Sequence, residues 1–259
     1  MIGRVSAGFR ASVLVLITLP LMPLQWLLIR LWPAIARRLP FHFHRLACRI
    51  LGFKIEITGQ LPEGGQCLIV SNHVSWIDIL VLSTVAPLSF IAKREVASWP
   101  FFGWLAKLQR TVFVDRERRH STKHSRTEME LRLAAGDRVV LFPEGTSHDG
   151  ASVLPFKSSF FAAASAPEIA IVPVTLAYTQ NWQLPLTRRN RPRFAWYADM
   201  ELMPHLWEAL CAGPLTVQII IHPALDQDTR ADRKRASATS EHLIRQSLAA
   251  ALHGRSVLE

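Results

Sequence analysis

The sequence predicts an α/β fold: a mixed, largely parallel sheet flanked by helices, preceded by an N-terminal membrane-associated helical segment. Three observations carry this. Short β-type runs alternate with helical patterns along most of the chain. Several of those runs are continuously apolar, as strands covered on both faces must be. The stretch ASVLVLITLPLMPLQWLLI, Ala11 to Ile29, holds no charged residue.

That stretch comes first. As a straight helix its 19 residues span about 28 Å, close to a bilayer core of about 30 Å. It is longer than the apolar region of a cleaved signal peptide, about 7–15 residues. Pro20 and Pro23 interrupt it, each removing a backbone donor, so a bent or re-entrant helical pair is as consistent as a clean span. Trp26 and Trp32 suit the headgroup level. Arg30, Arg37, Arg38, Arg45 and Arg49 follow the segment while only Arg4 and Arg10 precede it, which favours a cytoplasmic main domain. The division expected is a membrane-associated segment over residues 1–39 and an α/β domain over 40–259.

Strands are then expected at Lys54–Thr58, Cys67–Ser71, Leu88–Ala92, Thr111–Val114, Arg138–Phe142, Ile169–Leu176, Arg193–Ala198 and Leu215–His222. Helical patterns lie between them at Ser75–Thr84, Pro100–Gln109, His120–Ala135 and Lys157–Ala164. The tail SEHLIRQSLAAALHG reads as a helix with Ser240 as its N-cap and Gly254 just past its end. Thr179–Pro192, with Pro185 and three arginines, reads as an exposed loop.

Length and composition limit the function. With 259 residues, 49% of them hydrophobic and 19% charged, the chain has ample core and is not a disordered protein. Its 30 Lys and Arg against 20 Asp and Glu give a formal net charge of +10, which draws it to anions: nucleic acid, an anionic bilayer or phosphorylated molecules. Cys48, Cys67 and Cys211 form no CxxC pair, arguing against a disulfide framework or structural zinc.

In open α/β sheets reactive groups gather beyond the C-terminal ends of strands, and two polar clusters fall there. The first is SNHVSWID, where Asp78 follows His73 at a distance a helix start can close. It is either polar punctuation or a base with an orienting carboxylate. Neither serine nor cysteine stands beside it as a nucleophile, so such a pair would deprotonate a hydroxyl brought by a substrate. The second is FPEGTSHDG, where Gly145 permits a tight turn and Glu144 and Thr146 offer polar contacts. Ser147-His148-Asp149 is not a catalytic triad, because consecutive residues cannot converge with the required geometry. No phosphate-binding glycine loop, nucleophile elbow or HExxH helix appears. His73, Asp78 and His148 have no tight metal-ligand spacing.

Basic residues lie between these clusters: Lys93, Arg94, Arg110, Arg116, Arg118 and Arg119. The neighbouring aromatics Trp99, Phe101, Phe102 and Trp104 form an apolar patch instead of interleaving with the cations. That pattern fits a lipid headgroup and acyl chain better than nucleic acid.

These motifs, in this order, resemble the glycerolipid acyltransferase family that includes the 1-acylglycerol-3-phosphate acyltransferases. NHVSWID is similar to its His-x4-Asp block. The segment from AKREV through WPFFG to VFVDR is similar to the second, FPEGT to the third and IVPVTL to the fourth. The resemblance implies that His73 is a general base and Asp78 its partner, that Lys93, Arg116, Glu144, Gly145 and Thr146 bind substrate, and that Pro173 is structural. It implies transfer of a fatty acyl group from acyl-carrier protein or coenzyme A to the hydroxyl of a lysolipid, with no metal or resident cofactor. Together with the arginine distribution around the apolar segment, this leads to an expected place at the cytoplasmic face of a bacterial inner membrane. One departure stands out: the family's third block usually ends in arginine, and Ser147 occupies that place here. Losing a guanidinium that pairs with phosphate weakens the case for lysophosphatidate as acceptor. The lyso-ornithine lipid acyltransferases, with a phosphate-free acceptor, look similar in this respect.

Overall fold

The structure is a computed structural model that describes residues 2–114, 119–164 and 168–255. It begins with two helices, α1 (Ile2–Leu31) and α2 (Pro33–Leu51). The expected helical pair is present, but its break is not at the interior prolines. α1 runs through Pro20 and Pro23, held by packing against α2 and by later helices of the domain. The chain turns at Trp32 (φ −140°, ψ 71°), immediately before Pro33. Proline is tolerated at a helix start because the N–H it lacks would have no partner there. α2 continues unbroken across residues 39 and 40 and ends at Gly52, whose φ of 76° closes the helix. Only 17% of the most apolar window of α1 is buried; Phe9, Leu16, Leu19, Leu24, Leu27 and Leu31 face outwards. A core helix of a soluble protein would bury that face.

The sheet contains β1 (Lys54–Thr58), β2 (Cys67–Ser71), β3 (Ser89–Lys93), β4 (Val112–Val114), β5 (Arg138–Leu141), β6 (Ala170–Asn181), β7 (Leu184–Pro185) and β8 (Leu215–Ile221). Its order is β1-β8-β6-β2-β5-β3-β4, with β7 paired to β6. All neighbours are parallel except β6 with β8 and β6 with β7. The remaining helices are α3 (Ile77–Leu82), α4 (Phe102–Leu108), α5 (Arg119–Ala134), α6 (Leu202–Ala212), α7 (Gln227–Ala231) and α8 (Arg233–Leu252). Both faces of the sheet are covered. Ile69, Val140, Val172 and Leu176 meet Ile77 and Val81 of α3 and Ala209 of α6 on one side. Leu68, Val139 and Ile171 meet Leu133 of α5 and Ile244 and Leu248 of α8 on the other. Such double burial explains the continuous apolar runs.

Four expectations change. Arg193–Ala198 is not a strand: a 3₁₀ turn over Arg191–Arg193 leads to Phe194 and Ala195, both 0% exposed. Both edges of β6 are already paired, so the run plugs the core, and Trp196 N–H donates to the Val74 carbonyl at 3.0 Å. Lys157–Ala164 contains 3₁₀ turns at Ser158–Ala164 in place of an α-helix. The loop expected over Thr179–Pro192 instead carries the end of β6, a two-residue turn with Trp182 and Gln183 at φ 53° and 63°, and β7. Arg191 at its far end is buried. Ser240 lies inside α8 and is 0% exposed. The cap is Asp232, whose carboxylate accepts from Lys234 and Arg235 N–H, a stronger acceptor than a serine hydroxyl. Gly254 does follow the helix, with φ 66°.

Candidate active site

β2 stops at Ser71, but β6 runs on beside the chain that leaves it. Asn72 bridges the two: its Oδ1 accepts from Leu176 N–H at 2.8 Å and its Nδ2 donates to the Leu176 carbonyl at 2.9 Å. A side-chain amide thus continues the ladder while the backbone turns out of the sheet. His73 sits in that turn. Its N–H donates to Glu144 Oε1 at 2.7 Å, and its carbonyl accepts from His148 N–H at 3.0 Å. The FPEGTSHDG loop therefore clamps the histidine backbone from both sides.

The helix expected from Ser75 begins at Ile77, placing Asp78 in its first turn. Asp78 Oδ2 accepts from His73 Nδ1 at 2.7 Å, Val74 N–H at 2.7 Å and Ser75 N–H at 3.1 Å. Its Oδ1 accepts from the Tyr178 phenol at 2.6 Å. The carboxylate is 0% exposed, yet these four donors replace the water it has lost. With Nδ1 donating to Asp78, the imidazole lone pair resides on Nε2, which has no hydrogen-bond partner among the described residues. The His73 ring stacks on Phe142, centroids 4.1 Å apart and planes 14° apart. The Asp78 bond and the Phe142 stacking fix the tautomer and direction of the ring, which is what general-base chemistry requires.

Burial and, after it, the charge of Asp78 hold the Tyr178 phenol well above its ordinary pKa, so it stays a donor. Burial also lifts Glu144 to about 7, against the opposing pull of the Leu154 and His73 N–H groups. Glu144 is 4% exposed, with Oε2 accepting from Leu154 N–H at 2.9 Å. Both of its oxygens thus serve the backbone of the site. Gly145 supplies the φ of 78° that turns the loop, and Thr146 beyond it is exposed. Lys93 is exposed at the end of β3, in register with Val114. Arg116 lies outside the described residues. Pro173 is inside β6, opposite Val70. Among the described residues no three His, Cys, Asp or Glu side chains converge as metal ligands do.

An apolar cavity of about 290 Å³ lies between α1, α2, α3, β3 and α4. Trp76 and Phe90 are on its wall. Phe90 stacks on Phe142 at 6.4 Å, and Phe142 in turn stacks on His73. One continuous aromatic surface therefore connects the catalytic-type imidazole with the cavity. On α1, Thr18, Leu21, Met22 and Gln25 face it, the i, i+3, i+4, i+7 stripe of one helix face.

Sequence reasoning missed Tyr178 and Arg191. Tyr178 stands two residues past the expected end of its strand, where the apolar run AIVPVTLA gives way to YTQN. Arg191 Nη1 donates to the carbonyls of Gly150 at 3.3 Å and Tyr178 at 3.2 Å, tying the loop after FPEGT to β6. Period-2 alternation was the available signal for Tyr178, since it shares a face with Val174 and Leu176.

The sequence profile of the Acyltransferase family matches residues 53–177. The lyso-ornithine lipid O-acyltransferase of Brucella abortus is 44% identical over the whole of both chains. That of Rhizobium meliloti is 42% identical, covering 99% of this chain and 90% of its own. The crystal structure of the 1-acyl-sn-glycerophosphate acyltransferase of Thermotoga maritima superposes with a TM-score of 0.72 at 20% identity, covering 98% of this chain and 96% of that one. At that identity the two chains share the fold. On the sequence match along its full length, this chain belongs to the acyltransferase family and is an acyltransferase.

Proposed function

We propose that the protein moves a fatty acyl group from a thioester donor to the hydroxyl of lyso-ornithine lipid, at the cytoplasmic face of a bacterial inner membrane. One observation carries the chemistry: His73 Nδ1 is bonded to the buried Asp78 at 2.7 Å, which leaves the Nε2 lone pair to accept a proton. Nε2 takes the proton of the acceptor hydroxyl as its oxygen attacks the thioester carbonyl. When the tetrahedral intermediate collapses, the C–S bond breaks and the thiolate leaves, taking the proton back from the imidazolium. General-base assistance of this kind contributes roughly 10²–10⁴-fold. The acyl chain has an apolar receptacle in the cavity beside Phe90 and Trp76. Acyl-carrier protein or coenzyme A supplies the thioester, and the chemistry uses no metal or resident cofactor.

Two features support a phosphate-free acceptor. Ser147 stands where the motif it resembles usually ends in arginine, and relatives matched over their full or nearly full length carry lyso-ornithine lipid in their names. The exposed apolar face of α1 supports membrane attachment. The test is a panel of lysolipid acceptors, lyso-ornithine lipid and lysophosphatidate among them, each with acyl-carrier and coenzyme A donors. Lyso-ornithine lipid is expected to be acylated fastest, and His73→Ala to abolish transfer to every acceptor. Preferred acylation of lysophosphatidate would replace the acceptor assigned here; an active His73→Ala protein would remove the base.

A further inference from the structure

A second cleft, of about 460 Å³, opens at the other ends of the strands, where β3 and β5 begin. β5 alone places it roughly 13 Å from the catalytic edge. Its walls carry Arg37 and Arg38 of α2, Arg110 after α4, and Asp137 and Arg138 at the start of β5. Asp137 is 5% exposed and already shared. Arg110 Nη2 lies 2.8 Å from it, Arg37 Nε 3.3 Å and Arg132 Nη1 3.8 Å. Asp137 thus faces three guanidiniums, of which Arg132 also lies 3.9 Å from Glu128, while Arg38 and Arg138 add two more with no carboxylate partner among the described residues. Arg138 Nε is buried and makes no hydrogen bond among those residues. Such a cluster repels itself unless an anion completes it.

Arg110 shows that the arrangement is held against resistance. Its φ is 63°, at the position after a helix where glycine is usual because it bears no Cβ. A non-glycine residue there costs about 1–2 kcal/mol. The strained turn directs the guanidinium onto Asp137. Burial, and then the cations of Arg132 and Arg37, hold Arg110 below its ordinary pKa in spite of Asp137.

The rim identifies the source of the anion. Pro33 and Ala34 border the cleft, and Leu31, Trp32 and Ile35 beside them are exposed. This is the end of α1, where its outward apolar face meets the arginines. We propose that the cleft binds the phosphate headgroup of an anionic phospholipid, separately from the reacting lipids, with the lipid's chains lying along the end of α1. Phosphate oxygens pair with guanidinium forks in two directions at once, and basic clusters beside membrane segments attract anionic leaflets.

The experiment uses the full-length protein in detergent micelles, with phosphatidylglycerol, phosphatidylcholine or inorganic phosphate added, and reads the melting midpoint and the acyl-transfer rate. Phosphatidylglycerol is expected to raise the midpoint by about 4 °C, and the other two additions to leave it unchanged. Arg38→Gln/Arg138→Gln removes the shift while retaining the transfer rate in pure detergent. Should that variant fold poorly, Arg38→Glu, altering an exposed side chain, serves in its place. Equal stabilisation by phosphatidylcholine, or a phosphatidylglycerol shift that survives the substitutions, overturns the proposal. A shift with inorganic phosphate alone makes this a soluble-anion site, and a variant that loses transfer in detergent makes it part of the acceptor site. Flotation on phosphatidylcholine vesicles tests the membrane reading of α1 independently, since it needs no anionic lipid.

Discussion

Tyr178 and Asp78, 100 residues apart in the chain, meet at 2.6 Å, the phenol donating to the carboxylate oxygen opposite the one that holds His73. The donor stabilises the Asp78 charge and so limits how strongly that carboxylate stabilises an imidazolium. Tyr178→Phe is expected to shift the acid limb of the kcat/KM profile to higher pH, because an Asp78 with one donor fewer holds the His73 proton more tightly. The rate at the optimum should fall about tenfold, on the scale of a lost hydrogen bond to a charged group. A rate that falls with the limb unmoved would give Tyr178 a packing role alone.

Glu144 makes stability depend on pH. Burial raises its folded pKa from 4.5 to about 7, so between those values the folded state binds more proton than the unfolded. Stability from this group is fully present below about 4.5 and is lost as pH rises to about 7. Urea midpoints measured at pH 5 and pH 7.5 should show a smaller decline in Glu144→Gln than in the wild type. The variant should also be less active, since its amide cannot accept both the His73 and Leu154 N–H groups.

Ala106 lies on the cavity wall. Ala106→Phe projects a ring into a space of about 290 Å³, so long-chain donors should lose rate by an order of magnitude or more while short-chain donors are spared. Competition between donors of two chain lengths reads this directly. Uniform loss across lengths would separate the cavity from the acyl chain.

Ser147 tests the acceptor. Ser147→Arg adds a fixed cation beside the Glu144 turn, and is expected to raise kcat/KM for lysophosphatidate by about tenfold relative to lyso-ornithine lipid. An unchanged ratio would mean that other groups select the headgroup.

Much of this was legible one segment at a time. β1 and β2 match the expected Lys54–Thr58 and Cys67–Ser71 residue for residue: CLIVS is apolar enough to be buried on both faces as an inner strand, and KIEIT alternates polar and apolar residues at the sheet edge. His73 and Asp78 were legible because five positions of spacing let one turn join them. The length of β6 was not: Tyr178 to Asn181 is polar by local pattern and becomes strand only because β7 and β8 pair with it. The run Arg193–Ala198 failed for the converse reason, being apolar enough for a strand while both edges of β6 were already paired.

The amino-acid order by itself determined the layered α/β plan, the apolar N-terminal helices and the His73–Asp78 contact, since each depends on side chains a few residues apart. The tertiary structure alone decided what surrounds them. Tyr178 on Asp78, Glu144 on the His73 backbone, the aromatic path to the cavity and the arginines around Asp137 all join groups distant in the chain. Such contacts arise only when strands from separate segments lie side by side, and no local periodicity records which strands those will be.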